Sequence, residues 1–145
     1  MKKYLRKRSA KKVNNLGHWE GLLEEGTDLP YGFIYKITNL TNDKKYIGKK
    51  QCKSIRKRPP LKGKKNKRRH EVETDWKGYT SSSNQLNKDL EVIGKENFKF
   101  EILRWCDSKW ELSYYEARLQ FKEEVLLRDD YYNGIINLRI GKRRK

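Results

Sequence analysis

Two tyrosines and a glycine recur close together: Tyr35 ends Gly32-Phe33-Ile34-Tyr35, and Tyr46 and Gly48 fall in Lys45-Tyr46-Ile47-Gly48. Side by side next to a residue with no side chain, two phenols could hold a water or a phosphate oxygen. One could act as a base only if positive charge lowered its pKa, which is near 10 unperturbed. The same pair also reads as ordinary cross-strand aromatic packing, and at this level both readings stand. A second unusual residue is Glu116, set among Tyr114, Tyr115 and Ala117. An acid in an aromatic stretch is less expected than one on a charged face. Glu111, Glu123 and Glu124 are the alternatives, the last two in a charged segment where carboxylates are normally solvated.

The elements that would position these groups follow from period and punctuation. Residues 32–48 predict a β-hairpin: Tyr, Ile and Phe suit a half-buried pleated surface, and Thr38 to Lys44 is turn chemistry. Alternation places Phe33, Tyr35 and Ile37 on one face and Ile34 on the other; Tyr46 and Gly48 share a face opposite Ile47. Asn97-Phe98-Lys99-Phe100-Glu101-Ile102-Leu103 alternates as a third strand and completes a small antiparallel sheet. A helix over roughly 83–93 carries Leu86, Leu90 and Ile93 at core spacing, with Ser81 or Ser82 as N-cap and Gly94 as terminator. A longer helix over 109–127 takes Trp110, Tyr114, Ala117, Leu119, Phe121, Val125 and Leu126 as its apolar stripe. The expected class is α+β, a three-stranded antiparallel sheet flanked by helices. Residues 16–31, with Trp19, Leu22, Leu23 and Pro30 among four acids, read as a structural segment beside the sheet.

Charge narrows the partners. The chain has 145 residues and a formal charge of +17, from 36 Lys+Arg against 19 Asp+Glu. Such an excess favours a polyanion, nucleic acid first. No basic stretch has a sustained apolar face, and no run of about 18 apolar residues could span a bilayer, so a membrane is not expected. The basic N-terminus lacks the apolar region of a secretory signal. Cys52 and Cys106 form no metal-ligand spacing with His18 or His70 and read as reduced thiols. Residues 1–15, with seven basic residues by position 12, form an expected phosphate-contacting arm. From Lys49 to Arg69 there are twelve basic residues and no acid. Pro59-Pro60 and Gly63 interrupt any continuous helix, leaving one expected only over 51–57, followed by a basic loop. Lys49, Lys50, Lys53, Arg58, Lys64, Lys65, Lys67, Arg68 and Arg69 are the expected DNA-binding residues, contributing affinity more than sequence choice.

The phrases Gly32-Phe33-Ile34-Tyr35 and Tyr46-Ile47-Gly48, with the residues after them in order, resemble the GIY-YIG nuclease superfamily. The first departs from Gly-Ile-Tyr by its Phe. Within that superfamily the wording over 31–48 and 115–121 is similar to stand-alone bacteriophage proteins of the homing-endonuclease-like type. The resemblance covers about residues 31–138 and implies a nuclease domain there, including a basic loop at 59–75. It is flanked by a basic arm and short structural segment at 1–30 and a basic tail at 139–145.

The resemblance also implies roles. Tyr35 and Tyr46 would handle water and phosphate, with the base undecided between them. Arg56, eight residues past Gly48 on an expected helix, would hold the scissile phosphate through its planar guanidinium. Glu116 would bind one Mg²⁺ (or Mn²⁺), an ion that keeps several waters and borrows phosphate oxygens, so one carboxylate suffices. Gly32, Gly48 and Asn137 would support the site, with Asn133 the runner-up to Asn137. Family members often carry a His ahead of the helix at 83–93, where this chain reads Tyr79-Thr80-Ser81-Ser82. A Tyr or another phosphate contact would take that role, and His70 does not align. The implied activity is metal-dependent endonucleolytic cleavage of double-stranded DNA in the cytoplasm, the host's if phage-encoded, with no small-molecule cofactor. One site cuts one strand, so a double-strand break takes a dimer on DNA or two nicks. The rival is a non-catalytic basic nucleic-acid-binding protein, binding RNA or descended from a nuclease, its four Trp and nine Tyr serving as stacking surfaces.

Overall fold

The central strand is the one that carries Tyr35. In the computed structural model, which describes residues 15–24 and 26–144, β1 (Gly32–Asn39) is buried along almost its whole length. It pairs antiparallel with β2 (Lys44–Gln51) on one side and with the last strand, Phe98–Cys106, on the other. Asn39 closes the hairpin turn: its Oδ1 accepts from the Thr41 backbone N–H at 3.0 Å and the Thr41 hydroxyl at 2.6 Å.

Between hairpin and last strand lies an element the sequence reading missed. β3 (Lys53–Arg58) and β4 (Arg68–Glu73) form a separate two-stranded antiparallel ribbon, in register from Lys53↔Glu73 to Arg58↔Arg68. The helix expected over 51–57 is therefore a strand, and residues 68–73 are strand rather than basic loop. The physical reason is the connection. Lys64 N–H donates to the Leu61 carbonyl at 2.8 Å, and Gly63 supplies φ +84° in that turn. Gly63 meets nothing where a Cβ would stand, so its conformation rather than space requires glycine. Pro59-Pro60 and Gly63, read as helix breakers, serve as the bend of a hairpin.

Helix α1 (Asn84–Ile93) is capped by Ser83, whose hydroxyl accepts from Leu86 N–H, two residues beyond Ser81 and one beyond Ser82. β5 (Phe98–Cys106) follows a short 3-10 turn, and α2 (Lys109–Lys122) starts at a Ser108 cap. The sheet separates two cores. One holds Phe33, Tyr35, Ile37, Phe98, Phe100, Trp76, Trp19 and Leu86 of α1; the other holds Ile34, Ile47, Cys106, Val125, Tyr131 and Leu112 of α2. The expected alternation of Phe33, Tyr35 and Ile37 against Ile34 is the alternation observed. Helix α2 departs from expectation in its face: Leu112, Ala117 and Gln120 are buried, whereas Tyr114 and Phe121 are exposed. Its inward side is only partly apolar because it carries polar groups to the sheet. Residues 16–23 add to the outer edge of β5: Glu20 N–H donates to the Phe100 carbonyl and Ile102 N–H to the Glu20 carbonyl, both at 2.8 Å. Trp19 is buried there, its indole N–H on the Trp76 carbonyl at 2.6 Å, while Leu22 stands exposed.

Candidate active site

Pairing fixes what the hairpin alone left open. Tyr35 faces Gly48 across the β1–β2 ladder, and Tyr46 lies one same-face position along β2. The two rings stack at a tilt, centroids 6.2 Å apart. Gly48 is glycine for lack of space: a Cβ there would stand 2.6 Å from the Tyr35 hydroxyl oxygen and 2.9 Å from Tyr46 Cε2. The Tyr35 phenol thus lies over a bare stretch of backbone. Gly32 has a different task, since a Cβ there would press on the Lys50 carbonyl and on Leu112 of α2. Next to Tyr35, β5 carries one extra residue between the partners of Ile34 and Tyr35, a bulge that increases local twist.

A third phenol completes the cluster. Tyr79, in the segment where a histidine had been sought, sets its ring edge-on to Tyr35 at 6.2 Å and shares a hydroxyl contact with it. Its backbone carbonyl is held by His18 Nε2–H at 2.9 Å. Burial, with the Lys95 charge adding to it, lowers the His18 pKa to about 4, so the ring stays neutral and its Nε2–H donates. Two residues on, Ser81 takes φ +128°, a conformation L residues rarely adopt. It is held by its carbonyl accepting from Asn87 Nδ2 and its hydroxyl from Ser83 N–H. That bend brings Ser82 to the Tyr46 hydroxyl at 3.5 Å.

Glu116 arrives from α2. Its side chain is 16% exposed, and Lys49 Nζ lies 3.8 Å from Oε1 while bonding Ser113 at 3.1 Å. Burial raises the Glu116 pKa, against the opposing pull of Lys49. The carboxylate lies within electrostatic reach of all three phenols and opposes the ionisation of each. Burial is the larger cause in every case, and it holds Tyr35 well above the usual tyrosine range. The phenols are therefore hydrogen-bond donors as they stand, not bases. Lys50 flanks them, 4.2 Å over the Tyr79 ring and 2.9 Å from Asp75. Among the described residues no three His, Cys, Asp or Glu side chains gather as a metal cage. A single, largely buried carboxylate with one ion-pair partner fits an ion that takes its other ligands from water and phosphate.

Two expected residues lie elsewhere. Arg56 is exposed on β3 opposite His70, and its side chain makes no hydrogen bond or ion pair among the described residues, so no side-chain contact joins it to the tyrosines or Glu116. Asn137 is exposed, whereas Asn133 is buried: its Oδ1 accepts from Ile47 N–H at 3.1 Å and its Nδ2 donates to the Ile47 carbonyl at 2.8 Å. Gln120 of α2 donates to the same carbonyl at 2.9 Å. The outer edge of β2, which would otherwise leave Ile47 unpaired, is thereby closed in the middle of Tyr46-Ile47-Gly48. Of the other cations, Lys53, Arg58, Arg68 and Arg69 belong to the ribbon, and Lys64, Lys65 and Lys67 to its connecting loop. Residues 1–14, which hold nearly all of the expected arm, lie outside the described residues. Ser82 and Gln120 were missed and carry no signal as site residues, whereas Tyr79 stands in the segment where a Tyr is an expected substitute for the histidine.

Residues 19–136 match the family model described as "Putative endonuclease segE, GIY-YIG domain". The chain is 33% identical over 103 residues to "Putative endonuclease segD" of Enterobacteria phage T4, covering 71% of this chain and 37% of that protein. It is 28% identical over 103 residues to "Putative endonuclease segE" of the same phage, 71% of this chain and 40% of the relative. To "Putative endonuclease segB" it is 33% identical over 101 residues, 70% of this chain and 36% of the relative. The chain thus spans about two fifths of the length of the curated relatives it matches. No solved structure matches.

Proposed function

Because the chain belongs to the GIY-YIG endonuclease-domain family, we propose that it hydrolyses phosphodiester bonds of double-stranded DNA with a divalent cation held at Glu116. The observation that carries this reading is Glu116 itself. A largely buried acid ion-paired with Lys49 and within electrostatic reach of three phenols adds no apolar packing, and burial makes its ionised form costly.

The chain's own groups divide the work. Lys49 and Lys50 take phosphate contacts, because their ammonium groups lie against Glu116 and the Tyr79 ring respectively. Tyr35, Tyr46 and Tyr79 donate hydrogen bonds to non-bridging oxygens and to the attacking water, orienting it over the bare backbone at Gly48. Mg²⁺ or Mn²⁺ at Glu116 would supply polarisation of the phosphate, a more acidic water and a counter-charge for the leaving 3′ oxygen. With positive charge added, one phenol can lose its proton. Which one does so depends on its distance from the phosphate, and Tyr46 is the less buried of the two in the motif.

Supercoiled-plasmid cleavage in Mg²⁺, beside chelator and beside Glu116→Gln, tests the reading. Conversion to nicked or linear DNA only with metal and only in the wild type is expected. DNA binding without cleavage under any divalent ion would support the second reading, a binding-only descendant, which the lack of a side-chain contact between Arg56 and the tyrosines or Glu116 among the described residues favours.

A further inference from the structure

Of the surfaces outside the site, the β3–β4 ribbon is the most asymmetric. Antiparallel pairing sorts its residues onto two faces. One carries Ser54, Arg56 and Arg58 opposite Val72, His70 and Arg68. It has three exposed arginines and no acid. The other carries Lys53, Ile55 and Lys57 opposite Glu73, Glu71 and Arg69, so two carboxylates fall among its cations. A ribbon meant only to be soluble has no reason to sort charge this way. On the acid-free face Arg58 Nε–H donates to His70 Nε2 at 3.3 Å and Arg68 Nε–H to the Pro59 carbonyl at 3.3 Å, which fixes two guanidinium planes. Arg56 is left without any partner among the described residues, its donors free.

We propose that this ribbon enters the major groove of duplex DNA with the face of Arg56, Arg58, Arg68 and His70 toward the base edges. The choice of DNA as the polyanion rests on the nuclease reading; the groove and the face rest on the ribbon. The major groove, about 12 Å wide, admits a two-stranded ribbon as it stands, whereas the minor groove, about 6 Å wide, takes strands only where the duplex is bent or widened. Strands of six residues reach about 20 Å, longer than the groove is deep. Guanidinium groups are the side chains that pair with the guanine O6 and N7 acceptors displayed there. The face with Glu71 and Glu73 then points away from the phosphates, and the loop lysines Lys62, Lys64, Lys65 and Lys67 run along the backbone. This gives the chain a groove-reading element of its own within the nuclease domain.

The test uses the full chain carrying Glu116→Gln, so that bound DNA stays uncut, and dimethyl sulfate as probe, which methylates guanine N7 in the major groove and adenine N3 in the minor groove. Binding is expected to protect N7 over the ribbon's footprint and to leave N3 reactive. Arg56→Ser/Arg58→Ser/Arg68→Ser should abolish the N7 protection and weaken binding while lowering the slope of log affinity against log salt by less than about 1, because side chains on base edges neutralise few phosphates. Lys53→Ser/Lys57→Ser/Arg69→Ser, which removes the same charge from the other face, should keep the protection and lower the slope by less than about 1. N7 protection that survives the Arg56/Arg58/Arg68 variant or is lost equally in both triple variants, N3 protection, or N7 reactivity unaffected by binding would overturn the proposal. The wild-type footprint needs no ribbon variant, so a substitution that unfolds the ribbon leaves the groove assignment decidable. A chain that nicks plasmid without N7 protection would sink this inference and leave the nuclease reading. A chain that protects N7 and never cuts would do the reverse.

Discussion

Glu116 sits in the folded protein with its pKa above the ordinary glutamate value, chiefly through burial. The unfolded chain therefore ionises it more readily than the folded one. Above the folded-state pKa the ionised carboxylate costs stability, and that cost disappears as pH falls below the unfolded value. Glu116→Gln is thus expected to melt no lower than the wild type at pH 7, and slightly higher, with the difference vanishing in acid. Cleavage should fall by roughly a hundredfold or more while DNA affinity holds. A variant that melts well below the wild type at neutral pH would mark Glu116 as a structural ion-pair partner of Lys49. Since only the ionised form takes a cation, the acid limb of the rate profile should lie above the range of an exposed glutamate. The phenols can be separated the same way. Tyr35→Phe and Tyr46→Phe should each lower the rate roughly tenfold to a hundredfold with the fold intact, whereas Gly48→Ala should lose both, because its new Cβ meets the Tyr35 hydroxyl. Wild-type rates in both Phe variants would return the pair to packing.

At the level of elements, the outer edge of β2 depends on Asn133, whose side chain bonds both polar groups of Ile47 in a buried position. Asn133→Ala leaves that N–H without its partner and should cost roughly 2 kcal/mol in a denaturant melt. Asn137→Ala, at an exposed position, should stay within about 0.5 kcal/mol. Equal costs would restore Asn137 as the supporting residue. The contrast also marks what could be read from the chain beforehand. β5 was legible because Phe98, Phe100 and Ile102 alternate with polar residues, β1 and β2 because two apolar-aromatic runs flank turn chemistry, and α1 because Leu86, Leu90 and Ile93 keep helical spacing. The ribbon was not, because it buries little. With no apolar period to follow, Lys53 to Arg58 and Arg68 to Glu73 show their pairing only through the Leu61–Lys64 turn. Arg56 lies on a strand of that ribbon rather than on the expected helix, and Asn133 yielded to Asn137 because nothing in the sequence says which asparagine meets a strand edge. The face of α2 misled for a related reason. A helix that brings Glu116 and Gln120 inward turns part of its aromatic stripe to solvent.

On the scale of the molecule, charge and stoichiometry set the behaviour on DNA. The formal charge of +17 is spread over the ribbon, its loop and both ends of the sequence, while among the described residues no helix is long and apolar enough to cross a membrane. Such a chain should engage duplex DNA rapidly and with steep salt dependence, because each phosphate neutralised releases counterions. Yet each chain has a single Glu116, and under the proposed function that one carboxylate serves one phosphodiester at a time. The two strands of a duplex run antiparallel, so cutting the second requires either release and rebinding in the opposite orientation or a second chain. The expected course on a supercoiled plasmid is accumulation of nicked circles that only later give linear DNA. The nicking rate should rise in first order with protein, and higher salt should slow the second step more than the first, since it adds a new encounter. Linear product appearing without a nicked intermediate, with a rate that rises as the square of protein concentration, would instead mean that two chains assemble on the DNA before either cuts.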